Sequence, residues 1–497
     1  MLSPVARDDM RLRLPEIAAL AALGLAVLAG VDLVEHGPGH GTLPFLGALG
    51  FAVMMDVVSV SLMMTVSFVG WVVLRFSRVA LDGETRHAGF MAFMSLVLAG
   101  VILLVTAGTL TQLVIGWIGI GVALRPLLLF YHDRPRAQRA AKKKAFFSMI
   151  SVAALTAACL WMASAFGTTE IAAIRAAIEI GDVPDHLWGI ALLLAVAAIV
   201  KSALIPTHGW LTEVMEAPTP VSALLHAGVV ASGGFLLIRF ADLMIAVPGV
   251  MAVLALVGGF SALIGAAVAL TQPSVKTALA WSTCAQMGFM ILQCGLALFP
   301  LALLHIIAHA LYKAHAFLGS GSAVEAVNAI RRPGPVAVPD VRAVGRAFGL
   351  SLAIFVAVGL VFGIASKAPQ AVALGAILVF GVAYLMAQAL ADAAPRPLTR
   401  RTGAMAGAAT LAYFAFHAGA DWLTAGTLPP PPAPDGLAWA VMALTVPSFA
   451  LAAFAQATFP LWADHPAARG MRVHLMNGLY LNALADRFAG RWSSKEI

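Results

Sequence analysis

The feature that most constrains this chain is a succession of apolar runs, each long enough to cross the roughly 30 Å hydrocarbon core of a bilayer as a helix. About fourteen such runs occur. They lie near residues 16–34, 44–76, 88–108, 110–131, 146–166, 187–204, 222–247, 250–271, 277–296, 300–320, 347–366, 370–391, 403–420 and 436–458. Because 61% of the residues are hydrophobic and only 11% are charged, the composition is that of an integral membrane protein.

The apolar runs are continuous and do not alternate with polar residues, which favours helices over the strands of a β-barrel. We therefore predict an all-α polytopic membrane protein with about fourteen transmembrane helices. In this interpretation residues 1–461 form the transmembrane bundle and residues 462–497 form a cytoplasmic amphipathic tail. The first run follows a charged stretch and has no clear cleavage site, so it is interpreted as a retained span.

The segment 132–145, HDRPRAQRAAKKKA, is the most basic stretch of the chain and is predicted to be a loop that faces the cytoplasm. Counting spans outward from it also places in the cytoplasm both chain termini and the basic segments 77–87, 331–346 and 392–402. The opposite side receives the acidic segment 167–186 and the proline-rich segment 427–436. This alternation is consistent with the positive-inside rule.

The tail segment 471–490, MRVHLMNGLYLNALADRFAG, is amphipathic, with Arg and His on one side and Leu, Tyr and Phe on the other. A helix of this kind can lie in the membrane interface or dock against a partner. The sequence leaves both possibilities open.

Several classes of function are disfavoured. Cys159, Cys284 and Cys294 lie in predicted spans without C-x-x-C spacing, which argues against iron–sulfur clusters, structural zinc and disulfides. The net charge of +7 comes mostly from loops, where topology accounts for it, so no nucleic acid partner is expected. There is no Walker-type phosphate loop and no arguable Ser–His–Asp arrangement, so we expect no catalytic residue, cofactor or metal in this chain.

Ionisable residues inside the apolar runs require an explanation, because a charged side chain at the bilayer centre costs roughly 2.5–3.5 kcal/mol on insertion scales. Asp56 lies within the second run, and the segment HIIAHALYKAHAF places His305, His309 and Lys313 on one helical face. Without a neighbouring carboxylate, the two histidines are not expected to bind a metal. A stripe of this kind can line a hydrated proton path.

Two further residues have a simpler alternative explanation. Lys201 can extend its side chain from a helix end to the interface, and His226 alone would be an ordinary buried histidine. Their combination with the stripe on the later helix favours the path, and we expect all five residues to converge on one hydrated line.

The stretch HGWLTEVMEAPTPVSALLHAG, residues 208–228, breaks the apolar pattern between two spans. Prolines here and at position 206 interrupt helical hydrogen bonding, so the freed carbonyl groups need water or side chains as partners. Glu213 and Glu216 lie in the same stretch. The sequence therefore predicts a hydrated gap that accommodates ions.

Residues 201–230, 275–290 and 305–326 resemble the proton-translocating antiporter-like membrane subunits of respiratory complex I, multisubunit sodium/proton antiporters and membrane-bound hydrogenases. The resemblance centres on an antiporter-like core of about 51–391. It implies two inverted five-helix repeats, each with a broken helix, and a central axis of Lys, His and Glu side chains.

The resemblance also implies roles for individual residues. Lys201 is similar to the lysine of the first broken helix, and His226 to the histidine of the following helix. His305, His309 and Lys313 are similar to the connecting and second-half relay. Lys276 is similar to a lysine that begins a helix, and Lys367 is similar to the lysine of the second broken helix. These two matches are weaker than the others.

The chain departs from the family pattern at one position. The family has a Glu directly after Trp in GWE, as the partner of the broken-helix lysine, whereas this chain has GWIGIG with Ile118. Asp56, Glu213 and Glu216 are the candidates to supply the missing countercharge.

The amino-acid sequences of these motifs and of the tail segment NGLYLNALADR resemble the DabB family most closely. The resemblance implies a bacterial inner-membrane subunit that conducts ions, with proton and sodium both possible, and drives inorganic carbon accumulation. It also implies a cytoplasmic, zinc-containing DabA-like partner similar to β-carbonic anhydrase, on which any catalysis would occur. Two alternatives remain: a proton-pumping subunit of a complex I-like or hydrogenase-like oxidoreductase, and a non-conducting membrane anchor for a soluble enzyme.

Overall fold

The structure is a computed structural model that describes residues 4–42, 50–181, 183–322, 339–389 and 396–488. Its first helices are α1 (Pro4–His36), α2 (Val57–Ala80), α3 (His87–Val105), α4 (Leu110–Leu128), α5 (Pro135–Phe166), α6 (Ile171–Glu179), α7 (Leu187–Lys201), α8 (Gly209–Thr212), α9 (Thr219–Leu224), α10 (Ser232–Arg239) and α11 (Ala241–Ile245). The remaining helices are α12 (Pro248–Ala269), α13 (Val275–Gly295), α14 (Phe299–Leu318), α15 (Val341–Val361), α16 (Pro369–Ala389), α17 (Arg396–Thr424), α18 (Gly436–Ala457), α19 (Phe459–Trp462), α20 (Pro466–Met476) and α21 (Leu481–Phe488).

The helical architecture agrees with the predicted spans. Within the described residues, ten helices are long and apolar enough to cross a membrane. Two shorter apolar helices, at Leu187–Lys201 and Pro369–Tyr384, coincide with two more of the predicted runs, as do the long helices α13 and α17. Every predicted run therefore contains a helix, and the prediction of an all-α polytopic membrane protein is confirmed.

Two predicted boundaries are wrong. The run 44–76 is not helical throughout, because Ala52–Met55 forms strand β2, which pairs antiparallel with β1 (Gly39–Thr42). Helix α2 begins only after Asp56, whose carboxylate accepts a hydrogen bond of 2.8 Å from the Ser59 amide as an N-cap.

The predicted basic loop 132–145 is also shorter than expected. Helix α5 already begins at Pro135, a residue that is favoured at the first helical position because its ring fixes φ and it has no amide hydrogen to satisfy. Most of the basic residues therefore lie on the first turns of a helix. The residues 331–338 of the other predicted basic loop lie outside the described part of the chain.

The centre of the bundle is the segment Thr219–Arg239, which is almost completely buried. It contains α9, a π-helical turn at Leu225–Val229 and α10, and it packs against α2, α7 and α14. A π turn widens the helix locally and leaves backbone groups less regularly bonded, which is why such turns are frequent at functional sites. Here the turn carries His226.

Helices α12 and α13 approach unusually closely. A methyl group added at Gly258 would lie 2.6 Å from the Gly288 carbonyl oxygen, and one added at Gly265 would lie 2.8 Å from the Ala285 amide nitrogen. Small residues allow such contact between backbones in membrane bundles. This packing holds α13 in place beside the central segment.

The described residues contain both helix breaks implied by the family resemblance. Helix α7 ends at Lys201, and the chain passes through the cis peptide bond Ile205–Pro206 before α8. Helix α15 ends before Gly363, which has φ +69°, and α16 begins after a 3₁₀ turn at Ile364–Ser366 and Lys367. Each break therefore follows or contains one of the two matched lysines.

The two breaks lie toward opposite faces of the bundle. Residues just after the first break contact the basic start of α5, where Lys143 Nζ lies 2.6 Å from Glu213 Oε1. The second break lies near the outer end of α17, and the residues after that helix contact α6, where Arg175 donates to the Thr427 carbonyl at 2.7 Å. We call these the basic face and the acidic face.

The tail packs onto its own chain at the basic face. Asn482 Oδ1 accepts a hydrogen bond of 3.0 Å from Lys143, and Asp486 pairs with Lys143 and Arg139 at 2.6 Å each. The Met476 carbonyl accepts from Gln272 at 3.2 Å. The tail therefore docks against its own chain, whereas the two possibilities left open by the sequence were the membrane interface and a partner. Residues 489–497 lie outside the described part.

A buried ion pair joins the start of α2 to the end of α10. Arg239 donates to Asp56 at 2.5 Å, to the Ser59 hydroxyl at 2.6 Å and to the Val105 carbonyl at 3.3 Å. Arg239 and Asp56 are only 1% and 4% exposed. The pair therefore connects three helices inside the bundle.

Replacing Arg239 with Ala is expected to lower the free energy of unfolding by about 3–5 kcal/mol, because the Asp56 carboxylate would stay buried without its cation. Denaturant unfolding in detergent measures the change. The matched control is Asp32→Asn, which removes an exposed pair with His36 and is expected to have little effect. Equal stability of the two variants would contradict this account.

Replacing Gly209 with Ala is expected to release the tail, because a side-chain methyl group at this position would overlap Asn482. Limited proteolysis of the tail in purified protein measures the release. Gly470→Ala is the control, since a methyl group there meets no atom within 4 Å. Tail cleavage at the wild-type rate in Gly209→Ala would show that the contact does not hold the tail.

Candidate ion path

The amino-terminal half of α13 provides a polar node inside the bundle. Lys313, which is fully buried on α14, donates a hydrogen bond of 2.9 Å to the Leu279 carbonyl and also contacts the Ser282 hydroxyl. The Ser282 hydroxyl donates to the same carbonyl at 2.9 Å. The lysine is thus held by neutral oxygen acceptors and not by a carboxylate.

The same node holds His226 from the other side. Its Nδ1 lies 3.0 Å from the Thr283 hydroxyl, and that hydroxyl donates to the Leu279 carbonyl at 3.0 Å. A series of hydrogen bonds therefore runs from His226 through Thr283 and Leu279 to Lys313. We call these four residues the central node.

The central node is enclosed by apolar packing. The ring of His226 stacks on Phe317 with centroids 4.4 Å apart, and His226 is 0% exposed. Its Nε2 atom has no hydrogen-bond partner among the described residues, and the same is true of His309 Nε2. Each imidazole therefore retains a nitrogen that is not committed to a protein group, as a proton carrier requires.

The two histidines of α14 continue the line from Lys313. The rings of His305 and His309 have centroids 6.0 Å apart, and His305 Nδ1 lies 2.9 Å from the Gln293 amide oxygen. Their positions confirm that the residues at this spacing share one helical face. Within the described chain, no group of three His, Cys, Asp or Glu side chains forms a possible metal site.

A small cavity lies beside the π turn. It has a volume of about 20 Å³, enough for about one water molecule, and is lined by residues including Thr65, Ala227, Gly228, Ser232 and Ala310. The lining is mostly apolar. It borders both the π turn and α14.

Lys201 lies apart from the central node. Its side chain is 7% exposed, and Nζ is 4.6 Å from the centre of the Trp117 ring on α4. Such a cation–π contact partly compensates an ammonium group that lacks water. One helical turn further along α4, the Gly121 carbonyl accepts a hydrogen bond of 3.1 Å from Lys144. Two lysines therefore meet neighbouring turns of the same helix.

The position that carries Glu in the family pattern does not face Lys201. Ile118 is 40% exposed, whereas Trp117 is 1% exposed and lies against the lysine. Successive residues point in different directions on a helix, so Ile118 lies on a different side of α4 from Trp117.

The proposed replacement carboxylates all pair with other cations. Asp56 bonds to Arg239, Glu213 to Lys143, and Glu216 to Arg134 at 3.2 Å. Within the described residues, Lys201 has no carboxylate partner. The expectation that one of these three acids supplies its countercharge is therefore wrong for this arrangement.

The segment after the first break contains another histidine. His208 is buried, and its ring lies 4.7 Å from that of Trp281. Burial, followed by the positive charge of Lys143, lowers the pKa of the His208 imidazole to about 4. The ring is therefore neutral at neutral pH. Lys276, at the start of α13, is only partly buried and lies at the same face.

Lys367 has a carboxylate partner in the second half of the chain. Its Nζ lies 3.4 Å from Asp421 Oδ2, and His417 Nε2 lies 3.3 Å from the same oxygen. His417 is 4% exposed. Neither His417 nor Asp421 was expected from the sequence, although their spacing of four residues at the end of a predicted span is a detectable signal.

The five residues expected on one line are thus only partly assembled. His226, His305, His309 and Lys313 lie together along α13 and α14, but within the described residues no hydrogen bond or ion pair joins Lys201 to them. The neighbouring Ser202 hydroxyl donates to the Val230 carbonyl, four residues after His226, at 3.1 Å. Residues that contact these side chains and that the sequence did not single out are Thr283, Ser282, Gln293, Trp117 and Lys144.

Comparison with known proteins agrees with this arrangement. The family described as NADH:quinone oxidoreductase/Mrp antiporter, TM, matches residues 107–337. The solved structure of the Mrp complex from Dietzia sp. DQ12-45-1b has a chain that matches 97% of this chain and 57% of its own length, with 25% identity and a TM-score of 0.54. The antiporter-like fold is therefore confirmed.

Two relatives define the family more narrowly. Probable inorganic carbon transporter subunit DabB2 from Halothiobacillus neapolitanus is 38% identical over 495 residues, covering 96% of this chain and 88% of that protein. Probable inorganic carbon transporter subunit DabB from Hydrogenovibrio crunogenus is 42% identical over 262 residues, about half of each chain. This chain is a multi-pass membrane protein that belongs to the DabB family of antiporter-like subunits.

Proposed function

We propose that this chain conducts protons and thereby couples an ion gradient to inorganic carbon accumulation by a membrane complex. The observation that supports conduction best is the central node, in which a buried histidine and a buried lysine share one hydrogen-bonded series inside an apolar bundle. Buried ionisable groups in membrane spans are expensive and usually serve function. The DabB2 and DabB names of the relatives support the carbon substrate.

Proton transfer along this series requires groups that can accept and release a proton. Lys313, His309 and His305 are such groups, and they follow each other at one turn per step. The Leu279 carbonyl cannot transfer a proton, so it orients Thr283 and Lys313. Transfer between His226 and the stripe then uses the uncommitted Nε2 atoms and water.

The proposed complex has its catalytic centre on a partner. A cytoplasmic DabA-like subunit with zinc would hydrate CO2 to bicarbonate, and this chain would supply only the ion flow. The chain would lie in the bacterial inner membrane with both termini in the cytoplasm, which agrees with the basic residues collected at the face where the tail docks. The ion is proposed to be a proton because the node consists of titratable groups and neutral oxygen atoms.

The family description favours one alternative function. NADH:quinone oxidoreductase subunits share the matched region, so the same path could couple to electron transfer on other subunits. Purification of the native complex separates the two proposals. Co-purified flavin or iron–sulfur subunits would favour the oxidoreductase, whereas one large zinc protein would favour the carbon accumulation complex.

Lys201→Ala is expected to abolish bicarbonate accumulation in cells while the complex still assembles, because Lys201 is the buried cation at the first helix break. Uptake of labelled inorganic carbon and co-purification of the partner are measured together. Lys142→Ala, which removes an exposed lysine from α5, is the matched control. Full uptake by an assembled Lys201→Ala complex would contradict coupling through this residue.

Thr283→Val is expected to lower proton flux by about tenfold, the rate equivalent of about 1.4 kcal/mol, because it removes the hydroxyl between His226 and the Leu279 carbonyl. Flux is measured with a pH-sensitive dye in vesicles that contain the purified complex. Thr445→Val is a close control, since that buried hydroxyl also bonds to the carbonyl four residues earlier. In the same assay, Lys313→Ala is expected to stop the proton flux. If the wild-type complex carries no proton flux, the non-conducting anchor is favoured.

A further inference from the structure

We infer that Lys367, His417 and Asp421 form a proton exit site at the acidic face of the bundle. This inference rests on the proposed function and adds the residues through which the path leaves the protein. No motif of the family resemblance includes His417 or Asp421. We call the three residues the exit site.

The exit site combines a lysine, a histidine and a carboxylate, whereas among the described residues no carboxylate pairs with the lysine at the first helix break. Lys201 has a tryptophan ring and no carboxylate, whereas Lys367 and His417 both approach Asp421 Oδ2, at 3.4 and 3.3 Å. A carboxylate held between a lysine and a histidine can accept a proton from the histidine while the lysine stabilises its charged form. A lysine paired with a carboxylate is therefore found at the second break.

One face of α17 leads from the buried His417 to the partly exposed Asp421. Tyr413, His417 and Asp421 are spaced by four residues, and the rings of Tyr413 and His417 have centroids 5.9 Å apart. The side chain of Asp421 is 42% exposed, whereas that of His417 is 5% exposed. A proton moving from His417 to Asp421 would therefore move from the interior toward the surface.

Helix α17 also packs against α14, which carries the stripe of titratable side chains. Both helices carry titratable side chains at intervals of four residues. The stripe of α14 runs from Lys313 to His305, which is the end nearer the acidic face by the predicted orientation of the spans. The exit site then extends the path from His305 to the opposite side from the tail.

Charge and protons balance along this route. Neutral His417 first takes up a proton from the interior at Nδ1, and the resulting imidazolium donates its Nε2 proton to the Asp421 carboxylate, which releases it to water at the surface. His417 is then neutral with its proton on Nδ1, and rotation of the ring restores the starting arrangement. Lys367 keeps its own proton and returns Asp421 to the charged form. No oxidant or other reactant is needed.

The alternative explanation is that these residues form only a structural ion pair near a helix end. Such partly exposed pairs contribute only about 0–1 kcal/mol to stability, so Asp421→Asn should leave folding intact under either explanation. The two explanations differ in proton flux. A structural pair predicts unchanged flux, whereas the exit site predicts a loss.

The first experiment measures proton flux of the purified complex in vesicles with an imposed pH gradient. Asp421→Asn and His417→Gln are each expected to lower the flux by about tenfold or more, equivalent to about 1.4 kcal/mol, and Asp421→Glu is expected to retain it. Asp435→Asn is the matched control, because it neutralises another aspartate near the same face while Asn preserves the helix cap of α18. Wild-type flux in Asp421→Asn would overturn the exit site.

A second experiment restores the charge chemically. Asp421→Cys is expected to lose flux and to regain it after a methanethiosulfonate reagent attaches a carboxylate, but not after one attaches an ammonium group. The native cysteines are buried, so the wild-type complex is expected to be insensitive. Equal effects of the two reagents would contradict a role for the negative charge.

Lys313→Ala in the same assay separates this inference from the proposed function. If Lys313→Ala stops the flux while Asp421→Asn and His417→Gln do not, conduction stands and the exit site is wrong. If the wild-type complex carries no proton flux, the proposed function itself fails. A loss in all three variants supports both.

Discussion

Hydrocarbon cannot hydrogen-bond to a polar group, and this constraint underlies the arrangement of the whole bundle. Each buried ionisable side chain must find a partner inside the protein, and the partners differ from place to place. Arg239 is neutralised by Asp56 and Lys143 by two carboxylates, whereas among the described residues Lys313 donates hydrogen bonds to neutral oxygen atoms. The first two are typical of fixed structural charges, and the third is the environment of the lysine to which we assign proton exchange in the proposed function.

The two helix breaks differ in the same way. The first has a buried lysine on an aromatic ring and lies beside the docked tail, whereas the second has a lysine, a histidine and a carboxylate at the opposite face. An inverted architecture would place two such breaks toward opposite faces. The chain thus combines a shared scaffold with unequal chemistry in its halves, and the proposed direction of proton movement follows from that inequality.

The tail connects the membrane bundle to the face where a cytoplasmic partner would bind. Asn482 and Asp486 contact Lys143, and that lysine also contacts Glu213 just after the first break. A displacement of the tail would change the partners of a fully buried lysine. This network therefore connects the tail to the polar residues that follow the first break.

Periodicity and polarity alone determined the helical class, the approximate spans, the break near Pro206 and the shared face of His305, His309 and Lys313, because these depend on local spacing along one helix. Only the tertiary structure decided that Ile118 faces outward, that Asp56 belongs to Arg239, and that Thr283 and Leu279 connect His226 to Lys313. Those outcomes depend on which helices become neighbours and how each is rotated. A hydrogen bond between residues on different helices is set by that packing, which spacing along the chain does not specify.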